Sequence, residues 1–157
     1  MTHEELLQEA IRLSLENQKQ GGGPFGAVIA RAGKIIAASG NRVTATNDPT
    51  AHAEVSTIRL ACENLQTFTL TGCEIYSSCE PCPMCLGAIY WARLDALHFA
   101  ATRGDAAQGG FDDAFLYEEF AKPITDRSLA SHHVVHLQKE AIAAFESWRE
   151  KMDRVAY

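Results

Sequence analysis

The sequence has no apolar run approaching the ~18 residues that a membrane-spanning helix needs. Its start, Met-Thr-His-Glu-Glu, is polar and acidic, whereas a secretory signal begins with basic residues and continues into an apolar stretch. Basic residues are scarce as well: 14 Lys and Arg stand against 20 Asp and Glu, a formal net charge of -6. We therefore expect a cytoplasmic protein with no membrane or nucleic-acid partner.

Cysteines are few and odd in number. The chain has 5 of them among 157 residues, which does not suggest a disulfide framework, so in a reducing compartment metal binding or catalysis is the first hypothesis. This length corresponds to about one domain on the usual scale of ~100 to 200 residues. No linker or internal repeat interrupts the chain, and we predict a single domain over residues 1–157.

Strands and helices alternate along the chain. A capping box at Thr2 and Glu5 opens a first helix that ends near Lys19, and the other predicted helices cover residues 51–65, 81–93, 112–120 and a last stretch from 139. The predicted strands cover residues 25–31, 34–39, 73–77, 96–101 and 134–137, with loops at 41–50 and 104–110. One hairpin within an alternating order predicts an α/β fold, a three-layer α-β-α sandwich with a mixed sheet.

The last predicted helix carries an apolar stripe of Ile142, Phe145, Trp148 and Met152 at helical spacing. Such a stripe packs on a sheet or on a partner. Because a helix at the end of a chain can also exchange between subunits, the C-terminal helix and tail are candidates for swapping in a dimer.

Two short motifs contain the residue types that bind metals. His-Ala-Glu at residues 52–54 and Pro-Cys-Pro-Met-Cys at residues 81–85 each fall at the start of a predicted helix. Helix N-termini stabilise thiolates, and cysteines three apart share one face of a turn. Since one imidazole and two thiolates suit zinc, we predict His52, Cys82 and Cys85 as ligands of one zinc ion per subunit.

Three protein ligands leave the fourth tetrahedral position of zinc for water, as in catalytic sites. Bound zinc brings the pKa of that water to about 7, and Glu54 is the carboxylate that could take its proton and pass it to a substrate. Residues two apart on a helix are separated by ~200° of rotation. His52 and Glu54 can therefore face one ion only from the first helical turn.

Cys79 leaves an alternative open, because it forms a second Cys-x-x-Cys with Cys82. As a fourth ligand, Cys79 would close the site and make the protein a non-catalytic structural zinc module. A cysteine hydrolase built on Cys79 or Cys82 lacks a local signature. Cys62 and Cys73 lie on apolar faces and are expected to pack in the core.

The combination of His-x-Glu with Pro-Cys-x-x-Cys is the signature of zinc nucleobase deaminases. From its first helix to its last, the sequence resembles the cytidine deaminase superfamily, and within it the small bacterial guanine deaminases. The resemblance rests on Gly-Pro-Phe-Gly-Ala-Val at 23–28, on residues 47–54 and 78–85, and on Gly-Phe-Asp-Asp at 110–113 with Tyr157. The last run and the terminal tyrosine point to the guanine branch.

This resemblance implies a five-stranded sheet, zinc between two helix starts and a homodimer that exchanges C-terminal segments. It also implies hydrolysis of guanine to xanthine and ammonia in purine metabolism, with Asp113 catalytic beside Glu54. The implied substrate-binding residues are Phe25, Asn41, Ala53, Trp91, Asp113 and Tyr157. The donors and acceptors of guanine independently call for a carboxylate, an amide and flat side chains, and this set supplies them.

Other substrates are compatible with the same zinc motifs. A tRNA adenosine deaminase must hold phosphates with Lys or Arg, yet the densest basic stretch, Arg149, Lys151 and Arg154, alternates with acidic residues. Cytosine or another aminated heterocycle, such as ammeline, presents a similar edge and stays an alternative small-molecule substrate.

The remaining histidines, His3, His98 and the three at residues 132–136, show no ligand spacing to one another. We expect surface or packing roles for them. Gly21, Gly23 and Gly26 match G-x-G-x-x-G formally, but they precede a strand instead of following one, which argues against a dinucleotide site.

Overall fold

A computed structural model describes all 157 residues, which form two compact units, Met1–Leu116 and Tyr117–Tyr157. The strands of the first unit are β1 (Gly26–Arg31), β2 (Lys34–Gly40), β3 (Glu74–Cys79) and β4 (Ala96–Ala101). Its helices are α1 (His3–Lys19), α2 (Val43–Thr46), α3 (Ala53–Leu65), α4 (Pro83–Trp91) and α5 (Arg103–Gln108). Helix α6 (Ala114–Ala121) crosses the division, and the second unit adds two 3₁₀ turns, Ile124–Asp126 and Val135–Leu137, and α7 (Gln138–Glu150).

The sheet is mixed, in the order β2-β1-β3-β4. β1 is antiparallel to both β2 and β3, whereas β3 is parallel to β4. The predicted α/β class with a mixed sheet is confirmed, but the predicted fifth strand is wrong. Residues 134–137 instead contain the 3₁₀ turn Val135–Leu137. A strand requires a hydrogen-bonded neighbouring strand, and the second unit offers none to residues 134–137.

Alternation along β3 assigns its side chains to two layers of helices. Tyr76 packs on one face with Leu6 and Ala10 of α1. On the other face Ile75 packs with Ala61 of α3 and Ile89 of α4. The functional motifs at the starts of α3 and α4 therefore lie on the face of the sheet opposite α1.

Gly26 allows α1 to lie directly on β1. A Cβ at this position would collide with the carbonyl oxygen of Ala10 and approach the Ser14 nitrogen to 2.7 Å. A glycine is therefore required for this close packing of helix on strand.

Two predicted loops contain short helices. Residues 41–50 include α2. The glycine-bearing stretch 104–110 was expected to be a loop, but it contains most of α5, whose capping box joins Thr102 and Asp105. Here the Thr102 N–H donates to Asp105 Oδ2 at 2.8 Å, and the Asp105 N–H donates to Thr102 Oγ1 at 3.3 Å. This pair offsets the helix-weakening effect of Gly104.

The second unit contains no buried residue. Its apolar side chains are mostly open to solvent: Phe145 is 71% exposed and Leu129 is 76% exposed. In the first unit, Trp91 at the end of α4 and Phe99 on β4 are exposed as well, at 67% and 43%. None of the helices combines the length and apolar character required to cross a bilayer.

Candidate metal centre and active site

The two motifs meet where α3 and α4 begin. His52 is the N-cap residue of α3 and Cys82 is the N-cap residue of α4, and both have extended backbone conformations. Pro83 occupies the first helical position of α4, where a missing N–H costs nothing, so α4 begins two residues later than predicted. Because the backbone at His52 is extended, the side chains of His52 and Glu54 are not held to the ~200° of rotation that separates them in a regular helix. Both side chains can therefore face the same site.

The predicted ligand atoms of His52, Cys82 and Cys85 form a compact group. His52 Nδ1 lies 3.6 Å from Cys82 Sγ and 3.5 Å from Cys85 Sγ. In a tetrahedral site with Zn–S bonds of ~2.3 Å and Zn–N bonds of ~2.05 Å, the nitrogen and a sulfur are about 3.6 Å apart. The donor set and its spacing therefore fit zinc, with His52, Cys82 and Cys85 as the residues that would hold it.

The ionisation of the three ligands is coupled. A hydrogen bond from the Cys85 thiol, followed by one from His52, lowers the pKa of Cys82 to about 4, and the same contact raises the pKa of Cys85. The hydrogen bond with Cys82 raises the pKa of His52. These contacts favour a thiolate at Cys82, and metal binding would release the proton of the second thiol.

Glu54 lies in the first turn of α3 and is 5% exposed. Its Oε1 accepts a hydrogen bond from Ser77 Oγ at 2.9 Å. Burial raises the pKa of this carboxyl above its ordinary value, which suits a group that must both take up and release a proton. The geometry supports the proton-transfer role predicted for Glu54.

Cys79 does not join the group of ligands. Its thiol donates instead to the carbonyl oxygen of Thr102 at 3.5 Å. Burial, together with the nearby charge of Glu54, raises the pKa of Cys79 to about 11. The side chain is therefore a protonated thiol bound to the segment that follows β4, and a closed four-ligand zinc site finds no support in this geometry.

The predicted substrate residues Phe25 and Asn41 flank the end of the β1–β2 hairpin. Asn41 N–H donates to the Phe25 carbonyl at 3.0 Å, and Asn41 Oδ1 accepts from Val43 N–H at 3.1 Å. Asn41 is 9% exposed. The ring of Phe25 meets that of Phe111 edge to face, with centroids 4.9 Å apart and an interplanar angle of 88°. Two aromatic rings and an oriented amide therefore lie together.

The two neighbouring aspartates have different roles. Asp112 Oδ1 accepts from Ala114 N–H at 2.9 Å and so satisfies the start of α6. Asp113 is half-buried, and its pKa is raised by burial and by the negative charge of Cys82. Asp112 therefore caps α6, and Asp113 is the acidic group in the field of the metal ligands.

The remaining predicted substrate residues, Ala53, Trp91 and Tyr157, lie in three different parts of the chain. Ala53 is fully buried at the start of α3, between His52 and Glu54. Trp91 is the last residue of α4, about 13 Å along the helix axis from Cys82 at 1.5 Å per residue. Tyr157 ends the second unit and is 74% exposed. Within the first unit, only Ala53 of these three adjoins the metal ligands.

Sequence reasoning missed two residues of this site, Ser77 and Phe111. Ser77 shares a face of β3 with Ile75, so a polar residue in an otherwise apolar row was the available signal. Phe111 directly precedes the aspartate pair. Its contact with Phe25 joins residues 86 positions apart, and no local pattern encodes such a contact.

Comparison with known proteins identifies the architecture. The chain is 49% identical over 158 residues to the guanine deaminase of Bacillus subtilis, covering 100% of both proteins. The X-ray structure of guanine deaminase from Bacillus subtilis matches with a TM-score of 0.96, over 100% of this chain and 99% of that chain. A tRNA-specific adenosine deaminase of Agrobacterium fabrum is 46% identical over 89 residues, 55% of this chain and 59% of that protein.

A family model described as the cytidine and deoxycytidylate deaminase zinc-binding region matches residues 1–101. That span contains all four strands and the three predicted zinc ligands. The resemblance to the cytidine deaminase superfamily is therefore confirmed: this chain belongs to the cytidine and deoxycytidylate deaminase family.

Proposed function

We propose that this chain is a zinc-dependent deaminase that hydrolyses guanine to xanthine and ammonia. The observation that carries this proposal is the extent of the likeness. The match to a guanine deaminase, at 49% identity, spans 100% of the chain and so extends over the Gly-Phe-Asp-Asp run at 110–113 and the second unit. The matches to the tRNA-specific adenosine deaminases of Agrobacterium fabrum and Aquifex aeolicus cover 55% and 73% of the chain.

Glu54 performs the proton transfers in this reaction. Zinc, when bound, lowers the pKa of a water molecule to about 7. Glu54 takes a proton from the water that attacks C2 of guanine and delivers it to ring N3. The Ser77 hydroxyl, which donates to Glu54 Oε1, holds the carboxylate in position. Because Glu54 is buried, bulk water does not compete for the proton it carries.

Asp113 and Asn41 recognise the purine by its hydrogen-bonding edge. A carboxylate accepts from the ring N–H and the exocyclic amine. Asp113 then assists the transfer of the proton of the hydroxyl added at C2 to that amine, so that ammonia leaves and the C2 carbonyl of xanthine forms. Since Asn41 Oδ1 already accepts from Val43 N–H, its Nδ2 is the group oriented to donate to a ring acceptor. Phe25, supported by Phe111, supplies an apolar wall for the flat ring.

Ammonia release across a substrate panel tests this assignment. The panel contains guanine, adenine, cytosine, cytidine, ammeline and a tRNA anticodon loop with adenosine. We expect the highest kcat/KM for guanine, and we expect Asp113→Asn to lower it by about 10²-fold or more, the range of a catalytic acid or base. Asp112→Asn is the matched control, because Asp112 caps α6. Faster turnover of the tRNA loop than of guanine would contradict the proposal.

The functional assembly that we propose is a homodimer in which residues 117–157 of each chain pack on the other. Both units leave large apolar side chains exposed, among them Trp91, Phe99, Phe145 and Trp148. Proteins that stay monomeric rarely expose such extensive apolar surface, and β4 is an edge strand that needs cover. In a homodimer, the exposed apolar side chains of residues 117–157 of one chain would cover the exposed apolar side chains of the first unit of the other chain.

Sedimentation measures this assembly directly. The wild-type protein is expected at twice the 17.2 kDa of one chain. Phe145→Glu with Trp148→Glu places two charges on the apolar face of α7 and is expected to yield monomers. Lys139→Glu, also in α7, is the control that should stay dimeric. A wild-type monomer, or a dimer that tolerates both glutamates, would refute the exchanged assembly.

A further inference from the structure

Three potential metal ligands from separate elements meet on the α1 face of the sheet. His3 is the first residue of α1, Glu74 is the first residue of β3, and His98 lies within β4. His3 Nδ1, His98 Nε2 and Glu74 Oε2 are mutually close, and a ligand atom of each residue lies within 4.8 Å of those of the other two. The chemistry of the deaminase site uses none of these residues.

The register of the sheet and the start of α1 fix the positions of His3, Glu74 and His98. Tyr76 pairs with His98 in the parallel register of β3 and β4, and their rings stack 4.7 Å apart at an interplanar angle of 7°. Glu74 precedes Tyr76 by two residues and so shares its face of the sheet. The capping box of Thr2 and Glu5 sets the first turn of α1, which places the His3 ring 4.8 Å from that of His98.

The distances between the donor atoms match those around a small divalent ion. Glu74 Oε2 lies 3.0 Å from His98 Nε2 and 3.4 Å from His3 Nδ1. Metal–ligand bonds of ~2.05 Å place two tetrahedral ligands about 3.3 Å apart. The two measured separations lie on either side of this value, so one ion can reach all three residues after small side-chain movements.

The surroundings suit a metal ligand set. The Tyr76 hydroxyl donates to Glu74 Oε2 at 2.6 Å, and ligating carboxylates are commonly held by such a hydrogen bond. The same hydroxyl lies 2.8 Å from His3 Nδ1, so an ion would replace this contact of His3. The His3 side chain is 69% exposed, which leaves it room to turn toward an ion.

An adjoining cavity of about 300 Å³ is lined in part by His3, Glu74 and Tyr76. Its volume is sufficient for several water molecules at ~30 Å³ each. Waters at this position could complete the coordination of an ion that the protein holds with three ligands.

We propose that His3, Glu74 and His98 form a second metal site, which binds one Zn²⁺ or a similar transition-metal ion. Two imidazoles and a carboxylate are a donor set that zinc accepts, and they favour transition metals over calcium or magnesium. The site joins the start of α1 to β3 and β4. Ser77, which contacts Glu54, lies three residues from Glu74 along β3, ~10 Å, and on the opposite face of the sheet, whereas two-metal catalysis needs ions ~4 Å apart. The second ion therefore stabilises the fold and takes no part in the reaction.

Calorimetric titration of Zn²⁺ into protein that already holds one zinc per chain tests the site. We expect a second equivalent per chain in the wild type, no second equivalent in His3→Ala or His98→Ala, and no heat from Ca²⁺. Saturating Zn²⁺ is expected to raise the Tm of the wild type by about 5 °C or more and to leave His3→Ala unchanged. Because His3 is exposed, its substitution leaves the fold in place.

A triple variant at His132, His133 and His136 is the matched control, because these exposed histidines of the second unit are the competing imidazoles. It should keep the second equivalent. If the second equivalent disappears in this variant and persists in His3→Ala, or if the wild type takes up only one zinc, the proposal is overturned. Guanine turnover in His3→Ala, followed in parallel, should equal that of the wild type.

Discussion

Glu54→Gln is expected to lose at least ~10²- to 10⁴-fold in kcat, the contribution of a general acid/base, while zinc stays at one per chain. Glutamine keeps the shape of the buried side chain, and its amide oxygen can still accept from Ser77 Oγ, which lies 2.9 Å from Glu54 Oε1. It cannot take a proton from water or pass one to a ring nitrogen. Steady-state ammonia release and elemental analysis of the same sample separate the two properties. Unchanged turnover would remove Glu54 from the mechanism.

Ser77→Ala tests the same proton transfer and is expected to lower kcat by less than Glu54→Gln does. Loss of a hydrogen bond to a charged group costs about 1.5–3 kcal/mol, so a fall in kcat of about tenfold or more is expected if the bond positions Glu54 for proton transfer. Ser78→Ala is the matched control, since Ser78 Oγ accepts from Gly26 N–H at 3.1 Å and does not contact the carboxylate. Equal effects of the two substitutions would indicate a merely structural role for Ser77.

The candidate zinc ligands and Glu54 could be proposed from the sequence because the relevant information is local. His52 and Glu54 are two residues apart, and Cys82 and Cys85 are three apart. Each pair lies at a helix start that the sequence marks with a proline or a preceding loop. Such spacing is determined by one helical turn. The α1 helix was predictable for the same reason, because its capping box and periodic apolar face are contained in one segment.

Features that depend on contacts between distant segments were not predictable in this way. Ser77 meets Glu54 only because β3 pairs with its neighbours in one register and α3 packs on that face. His3, Glu74 and His98 show no ligand spacing along the chain, and three separate elements bring them together. The expected fifth strand failed for a related reason, since apolar composition at residues 134–137 cannot supply a pairing partner.

Cys85→Ser should produce the largest loss of all, because it removes both the metal and the chemistry that the metal supplies. The Cys85 sulfur is buried at the start of α4, 3.5 Å from His52 Nδ1. Two remaining ligands do not complete a catalytic zinc site. We therefore expect zinc to fall well below one per chain. Without zinc the pKa of the attacking water rises far above the value of about 7 that bound zinc gives it, so turnover should fall by more than ~10⁴-fold.

Cys79→Ser is the matched substitution, and it distinguishes an open site from a closed one. Serine can still donate to the Thr102 carbonyl, which accepts from the Cys79 thiol at 3.5 Å, so the fold, the zinc content and the activity should all be retained. In a site closed by four protein ligands, Cys79→Ser would instead release zinc much as Cys85→Ser does. Zinc content and guanine turnover of the two variants, measured side by side, therefore decide whether a coordination position is left for water. Retention of both in Cys79→Ser and loss of both in Cys85→Ser is the pattern that only an open, catalytic site produces.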